Sequence, residues 1–176
     1  IKSEAQANGT WMKAPNGNDT NLNEQQYVDV RTKRFTDWFG DWVNDAENAS
    51  KVVDANGEPM VVYHNTNTDI KEFNANKTMD GSFWFTSEKG NKNTGAANNE
   101  NEIPTFLNIK NPSSWSEEDT LTDDQIIKKG FDGKELDGDY VAFNPNQIKS
   151  ATSNAGTYSN KTGRIDFQIP TPQKPK

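Results

Sequence analysis

The 176-residue sequence contains no cysteine, a single histidine and no long hydrophobic run. Without cysteine the chain has no disulfide, no thiolate nucleophile and no thiolate metal site. With His64 as the only imidazole, a zinc site of the usual histidine and cysteine kind is nearly excluded, and we expect no metal. No apolar run approaches the ~20 residues of a membrane span, so we expect no membrane partner.

Hydrophobic residues are scarce as well, at 31% of the chain. Such a composition by itself favours disorder. However, five Trp, nine Phe and four Tyr residues can bury a large apolar area with few side chains. We therefore expect a small aromatic core with long polar loops. The net charge of -7 repels phosphate backbones, so a nucleic-acid partner is not expected.

Apolar spacing and turn signals predict helices early in the chain and short strands later. Asn23 is a candidate N-cap for a helix that begins at Glu24 and runs towards Phe39. Aromatic residues at helical spacing from Phe35 to Trp42 predict one buried face of this helix. Two strand-like runs, at 51–53 and 60–63, flank the hairpin pair Asn56-Gly57. Further strands are predicted at 82–86, 104–109, 139–143 and 147–149, with a helix at 123–129 after Thr122. This order indicates an α+β domain.

The two ends of the chain are polar and rich in turn residues. We expect residues 1–21 to be an N-terminal linker, 22–158 to be the domain, and 159–176 to be a Pro-rich C-terminal linker. The whole would then be a segment of a longer polypeptide, whose neighbouring domains are its expected partners.

Several polar residues could carry chemistry, although each has a simpler structural interpretation. His64 ends an apolar strand, where a hydrogen-bonded structural histidine is the more common case. Trp84 is more often a core residue than a stacking platform. Asp137 and Asp139 would share one face of a strand, whereas the simpler interpretation is a solvated acidic turn. The sequence shows no phosphate-binding glycine motif and no nucleophile elbow.

Three segments taken together resemble the ADP-ribosyltransferases of the His-Tyr-Glu class, which include diphtheria toxin and the poly(ADP-ribose) polymerases. They are Val62–Thr66, Phe83–Thr86 and Gly138–Ile148. Longer stretches at 35–42, 48–54 and 104–112 are similar to the ADP-ribosyltransferase-like domains of polyvalent proteins in phages and mobile elements. The resemblance implies an ADP-ribosyltransferase-like fold, in which split antiparallel β-sheets carry a few flanking helices.

The same resemblance implies an NAD site with assigned roles. His64 would hydrogen-bond a ribose hydroxyl, and Asp139 would replace the family glutamate that stabilises the oxocarbenium-like transition state. Asn65, where the family usually has Gly, would hold the nicotinamide carboxamide through its backbone, provided that it reaches the needed dihedral angles. Trp84 would stack on the nicotinamide ring. The expected NAD contacts also include Thr66, Phe83 and Phe85, and Asp137 could orient an acceptor.

The activity implied is that of an NAD-dependent ADP-ribosyltransferase or NAD glycohydrolase with an unknown protein acceptor. The chain would act in a bacterial cytoplasm or be delivered into a host cell as part of a larger effector. The alternative is a catalytically impaired NAD-binding or protein-interaction module, because Asp139 is shorter than Glu and residues 89–95 lack the family's second stacking tyrosine. A third interpretation is a structural or interaction domain in which the Trp-rich helix contacts a neighbouring domain, and an exposed patch containing Trp38 and Trp42 would favour it.

Overall fold

A computed structural model describes residues 1–67, 70–74, 81–91, 101–154, 156 and 158–166 of the chain. Three helices precede the first strand, namely α1 (Lys2–Asn8), α2 (Glu24–Asp29) and α3 (Lys33–Phe39). The later elements are β1 (Val62–Thr66), β2 (Phe83–Thr86), β3 (Asn101–Leu107), β4 (Pro112–Ser113), α4 (Trp115–Glu118), α5 (Asp123–Lys128), β5 (Gly133–Leu136), β6 (Asp139–Ala142) and β7 (Ile148–Ser150). Short 3-10 helices lie at Ala46–Asn48 and Pro145–Gln147.

The one long helix expected between Glu24 and Phe39 is two helices. Asn23 caps α2, since its side chain accepts a 2.8 Å hydrogen bond from the amide of Gln26. Thr32 then caps α3 by accepting from the amide of Phe35. A Thr hydroxyl offers the backbone a local partner that competes with an uninterrupted helix, which explains the break.

The strands form one mixed sheet in the order β4-β5-β6-β2-β1-β3-β7, in which only β4 and β5 are parallel. Together with the flanking helices, this sheet confirms the α+β prediction. Among the described residues, β1 and β2 share a single registered pair, Tyr63 opposite Thr86. By contrast, β1 has five registered pairs with β3, and β2 has four with β6. The sheet therefore consists of two well-paired parts that meet at one narrow joint.

Aromatic clusters cover the sheet on both sides. Phe106 and Leu107 follow one another in β3 and so point to opposite faces. Phe106 packs with the helical aromatics Phe35, Trp38 and Phe39, whereas Leu107 belongs to a cluster with Phe83 and Phe85.

Trp38 and Trp42 are only 2% and 4% exposed. This burial removes the support for an interaction surface built on the Trp-rich helix.

Some predicted strands and helices are confirmed, and others differ from the prediction. Helix α5 begins after Thr122, whose hydroxyl forms a capping box with Gln125, as the sequence indicates. The run 51–53 contributes only an isolated bridge, Val53 opposite Pro59, because the turn that follows is closed by side-chain bonds to Asp54. Strands β4 and β5 were not predicted, since β4 has two residues and β5 lacks β-branched and aromatic side chains.

Residues 1–21, expected to be a linker, are folded against α2. The hydroxyl of Tyr27 donates to the carbonyl of Thr10, and the ring of Trp11 packs edge-on against Tyr27. Thr20 donates to the carboxylate of Glu58. The described part of the C-terminal segment also packs on the domain, and its Ile165 is 2% exposed. The domain boundaries at 22 and 158 stay a prediction, and residues 167–176 lie outside the described ranges.

The carboxylate of Glu58 is fully buried and accepts from both Thr20 and the guanidinium of Arg31, the latter at 2.8 Å. Arg31 also stacks on the ring of Tyr27, with its Cζ 3.5 Å from the ring centroid. This cluster connects the N-terminal segment, α2 and the 54–59 turn.

No helix in the described ranges is long and apolar enough to cross a membrane.

We expect Arg31→Met to lower the free energy of unfolding by about 3 kcal/mol, because it leaves the buried carboxylate of Glu58 without its cation. Urea denaturation followed by tryptophan fluorescence measures this. Arg34→Met, at an exposed position in the same stretch, is the matched control and should cost less than about 0.5 kcal/mol. Equal losses in the two variants would contradict the role of the Arg31 and Glu58 pair.

Candidate functional site

His64 lies at the joint between the two parts of the sheet. It follows Tyr63, the one β1 residue registered with β2, and its ring reaches across to that strand. Its Nδ1 atom is 2.7 Å from the carbonyl oxygen of Trp84. A side-chain hydrogen bond thus links β1 and β2 beyond their single registered pair.

This hydrogen bond determines the tautomer of His64. A carbonyl oxygen can only accept, so Nδ1 carries the proton and Nε2 has the free lone pair in the neutral ring. Burial lowers the pKa of His64 from its ordinary 6.5, and the bond to the Trp84 carbonyl offsets part of that effect. At neutral pH the imidazole is therefore uncharged and presents an acceptor at Nε2.

Asn65 and Thr66 continue β1 beyond His64. Asn65 is extended strand, paired with Glu102, and its buried side chain donates a 2.6 Å hydrogen bond to the carbonyl of Asn91. Thr66 is also buried, opposite Asn101. Asn65 is not among the residues with positive φ. The special dihedral angles considered for a glycine replacement at this position are therefore absent from the structure.

The three aromatic residues of β2 point in alternating directions. Phe83 and Phe85 are 1% and 0% exposed and belong to the core, where the ring of Phe85 lies 5.3 Å from that of His64. Trp84 points to the other face and is partly exposed. The ammonium of Lys134 lies 5.7 Å from the centroid of the Trp84 ring. Of these three side chains, only that of Trp84 is partly accessible to solvent.

Asp139 begins β6 next to the same joint. It is registered with Thr86 on one side and with Leu136 on the other, and it is partly exposed. Since β2 alone separates β6 from β1, Asp139 lies about two strand spacings, ~10 Å, from β1. The fold therefore brings His64, Trp84 and Asp139 to one region of the sheet.

Asp137 and Asp139 do not share a strand face, and the simpler interpretation of an acidic turn is the one that the structure shows. Asp137 and Gly138 have φ angles of 52° and 95°, and they form the two-residue turn between β5 and β6. Asp-Gly favours such a turn because both residues tolerate positive φ. The carboxylate of Asp137 accepts a 3.0 Å hydrogen bond from the indole of the half-exposed Trp115. The acidic turn is thus the correct local description.

The pleat divides the predicted site residues between two faces. The rings of Phe73 and Phe85 flank His64 on one side of the sheet. Trp84 and Asp139 alternate with Phe85 and Tyr140 and so point to the other side. A ligand that contacts both sets must therefore reach both faces of the sheet.

Sequence reasoning missed two groups beside the site. Lys134 is 2% exposed and forms ion pairs with Glu118 and, at 2.6 Å, with Asp123. Although burial opposes its charge, the hydrogen bonds to these carboxylates raise the pKa of Lys134. Phe73, which contacts His64, lies in an irregular segment with no periodic pattern. No signal in the sequence links either residue to the site.

A cavity of about 240 Å³ adjoins the joint and is lined in part by Tyr63, Ser87 and Lys89. A larger cavity of about 500 Å³ lies beside Phe143 at the other end of β6, and none of the predicted site residues lines it. The smaller cavity likewise contains none of the predicted site residues, although its lining residue Tyr63 directly precedes His64. Within the described residues, no group of three or more His, Cys, Asp or Glu side chains could hold a metal ion.

Comparison with known families decides the assignment. Residues 54–139 match the family model described as ADP-ribosyltransferase in polyvalent proteins. This segment is an ADP-ribosyltransferase domain of that family. The match runs from the turn before β1 to Asp139 and includes His64 and Trp84. Searches of curated proteins and of solved structures gave no significant match.

The family assignment and the geometry concern the same part of the chain. An ADP-ribosyltransferase domain uses NAD as its substrate, and the matched segment contains the joint, β2 and the first residue of β6. The β3 and β7 strands and the helices α2 and α3 supply structural support, in part from outside the matched segment.

We predict that His64 titrates below pH 6.5 and carries its proton on Nδ1 when neutral. Because it is the only histidine, long-range ¹H–¹⁵N spectra of the chain report it without assignment. The folded state disfavours the charged ring, so the free energy of unfolding should be unaffected above pH 6.5 and should fall as pH drops from 6.5 through the folded pKa. A pKa at or above 6.5 would contradict the burial of the ring, and an Nε2–H tautomer would contradict the hydrogen bond to Trp84.

Proposed function

We propose that this ADP-ribosyltransferase domain cleaves the nicotinamide–ribose bond of NAD at the joint between β1 and β2, and passes ADP-ribose to a protein acceptor or to water. The observation that supports this most strongly is the neutral His64 ring, held by the Trp84 carbonyl inside the segment that matches the family. A fixed acceptor at Nε2 suits a ribose hydroxyl, which can donate to it.

Asp139 would supply the negative charge that the reaction needs. When the bond from C1′ of the ribose to the nicotinamide nitrogen breaks, both bonding electrons leave with nicotinamide, and positive charge develops on the ribose. A carboxylate placed nearby stabilises that charge electrostatically. Nicotinamide leaves as a neutral molecule, so no strong general acid is required. The acceptor oxygen or nitrogen then bonds to C1′ and loses its proton.

The remaining predicted residues would position the substrate. Trp84 would stack on the nicotinamide ring, on the face of β2 that it shares with Lys134. Asn65 and Thr66 would line the site as part of β1, with Asn65 contributing backbone rather than side-chain contacts. Phe83 and Phe85 would act from the core by fixing the course of β2, because their side chains are buried.

A catalytically impaired module of the same fold is the second candidate. Three observations favour it: Asp139 is one methylene shorter than Glu, residues 89–95 contain no aromatic residue, and Asn65 stands in the place of Gly. An ångström of misplacement of a catalytic group can cost on the order of a hundredfold in rate. This candidate predicts saturable NAD binding without nicotinamide release, or no NAD binding.

The setting of the activity follows from the family description. Polyvalent proteins are multidomain, so we propose that neighbouring domains of a longer phage or mobile-element protein deliver this domain to its acceptor. We propose either the bacterial cytoplasm or a host cell as the place of action. The acceptor would be a protein, since the charge of -7 opposes binding to nucleic acid.

We expect the purified chain to release nicotinamide from NAD, and expect Asp139→Asn and His64→Ala each to lower kcat/KM by about a hundredfold or more. Chromatographic quantification of nicotinamide measures the rate. Glu135→Gln changes an exposed carboxylate on the neighbouring strand and should leave the rate within about twofold. Release that is unchanged in Asp139→Asn would remove that residue from the mechanism. No release together with saturable NAD binding would favour the impaired module.

Asp137 lies in the turn between β5 and β6, two residues before Asp139, and we propose that it orients the acceptor. Asp137→Asn keeps a residue that tolerates positive φ and removes only the charge. We expect incorporation of labelled ADP-ribose into protein to fall about tenfold, the loss expected for one charged hydrogen bond, while NAD hydrolysis is spared. Equal losses of transfer and hydrolysis would count against an acceptor role.

A further inference from the structure

The C-terminal segment (158–166) is fastened to β7 by main-chain and side-chain bonds. The amide of Ser150 donates to the carbonyl of Ile165 at 2.9 Å. Lys149, which is fully buried, donates from Nζ to the carbonyls of Thr162 and Arg164 at 2.7 and 3.1 Å. Burial lowers the pKa of Lys149 to about 8, and nearby Glu72 offsets part of this. The buried side chain of Lys149 therefore hydrogen-bonds two main-chain carbonyls of this segment.

On its other side the C-terminal segment holds the Phe73 segment (70–74). The amide of Ile165 donates to the carbonyl of Lys71 at 2.9 Å, and Arg164 and Glu72 form an antiparallel bridge. Gly163 lies against the same segment, since a Cβ placed on it would be 2.7 Å from Cβ of Pro145 and 3.2 Å from the carboxylate of Glu72. The C-terminal segment therefore lies between β7 and the Phe73 segment and bonds to both.

Phe73 is where this arrangement meets His64. Its ring is edge-on to the His64 imidazole, with the ring centroids 4.8 Å apart and an interplanar angle of 77°. Phe73 also packs on Phe83 and Phe85, at centroid distances of 5.3 and 5.8 Å. Phe73 thus closes the side of the imidazole that faces away from Trp84 and Asp139. The Nδ1 bond fixes one point of the ring, and Phe73 limits its tilt.

We propose that the C-terminal segment (158–166) positions the His64 imidazole through Phe73, so that residues beyond the matched family segment help to set the geometry of the site. Ile165 is far from His64 in sequence, but its amide bonds the carbonyl of Lys71. Two residues further on, Phe73 contacts the His64 ring. Phe73 is a positioning residue, because it contacts His64 and not the reacting atoms. The effect of this positioning on NAD rests on the function proposed for His64, whereas the effect on the imidazole does not.

The test uses the only histidine of the full chain as a reporter. Gly163→Val introduces a Cβ into the contact with Pro145 and Glu72 and should detach the C-terminal segment, which loss of hydrogen-exchange protection at the Ile165 amide would show. Phe73→Leu removes the ring contact directly. In both variants we expect the Nδ1–H resonance of His64 to broaden or vanish and its pKa to move up towards 6.5. The NAD dissociation constant should rise about fivefold, as for one hydrogen bond made imperfectly.

Lys161→Ala, at an exposed position of the same segment, is the matched control and should leave all three readouts unchanged. Far-ultraviolet circular dichroism verifies that each variant is folded. An unchanged His64 resonance in Phe73→Leu would overturn the proposal, as would an unchanged resonance in a Gly163→Val chain whose Ile165 amide has lost protection. If His64 is displaced in these variants but the unaltered chain binds no NAD, the positioning is supported and the proposed function is rejected.

Discussion

The narrow joint between β1 and β2 is the constraint on which the rest of the site depends. A full antiparallel ladder would hold these strands edge to edge, but only Tyr63 and Thr86 are in register there. The His64 side chain adds a bond to the Trp84 carbonyl beyond that registered pair. One side chain therefore connects the two parts of the sheet, and its hydrogen bond places the proton of the neutral ring on Nδ1. Nε2 is left as the acceptor that the proposed NAD site requires.

A chain with so few hydrophobic residues can hold this joint because its aromatic side chains are concentrated on both faces of the sheet. On one face, Phe35 contacts four other aromatic rings within 5.7 Å. On the other face, Phe73 and Phe85 contact the imidazole, and Phe83 packs on Phe73. Segments before α2 and after β7 pack on these clusters and add to the buried apolar area.

Local patterns predicted much of this architecture. The caps at Asn23 and Thr122, the aromatic helix face and the strand leading to His64 were all visible as residue spacing. The break at Thr32 and the course of β5 were not, because a hydroxyl cap inside a periodic run and a strand without β-formers carry no clear signal. The site itself was suggested by resemblance. Which way each side chain points depends on strand register, and the contact of Phe73 with His64 depends on the long-range pairing of 70–74 with the C-terminal segment.

The most direct test of this account is a titration of the chain with NAD, monitored at the Nε2 resonance of the single histidine. If a ribose hydroxyl donates to Nε2, that resonance should shift in a saturable manner while the Nδ1–H signal stays in place. ADP-ribose, which keeps both riboses and lacks nicotinamide, should produce a shift in the same direction. NAD binding that leaves both nitrogen resonances unchanged would contradict a site at the joint between β1 and β2.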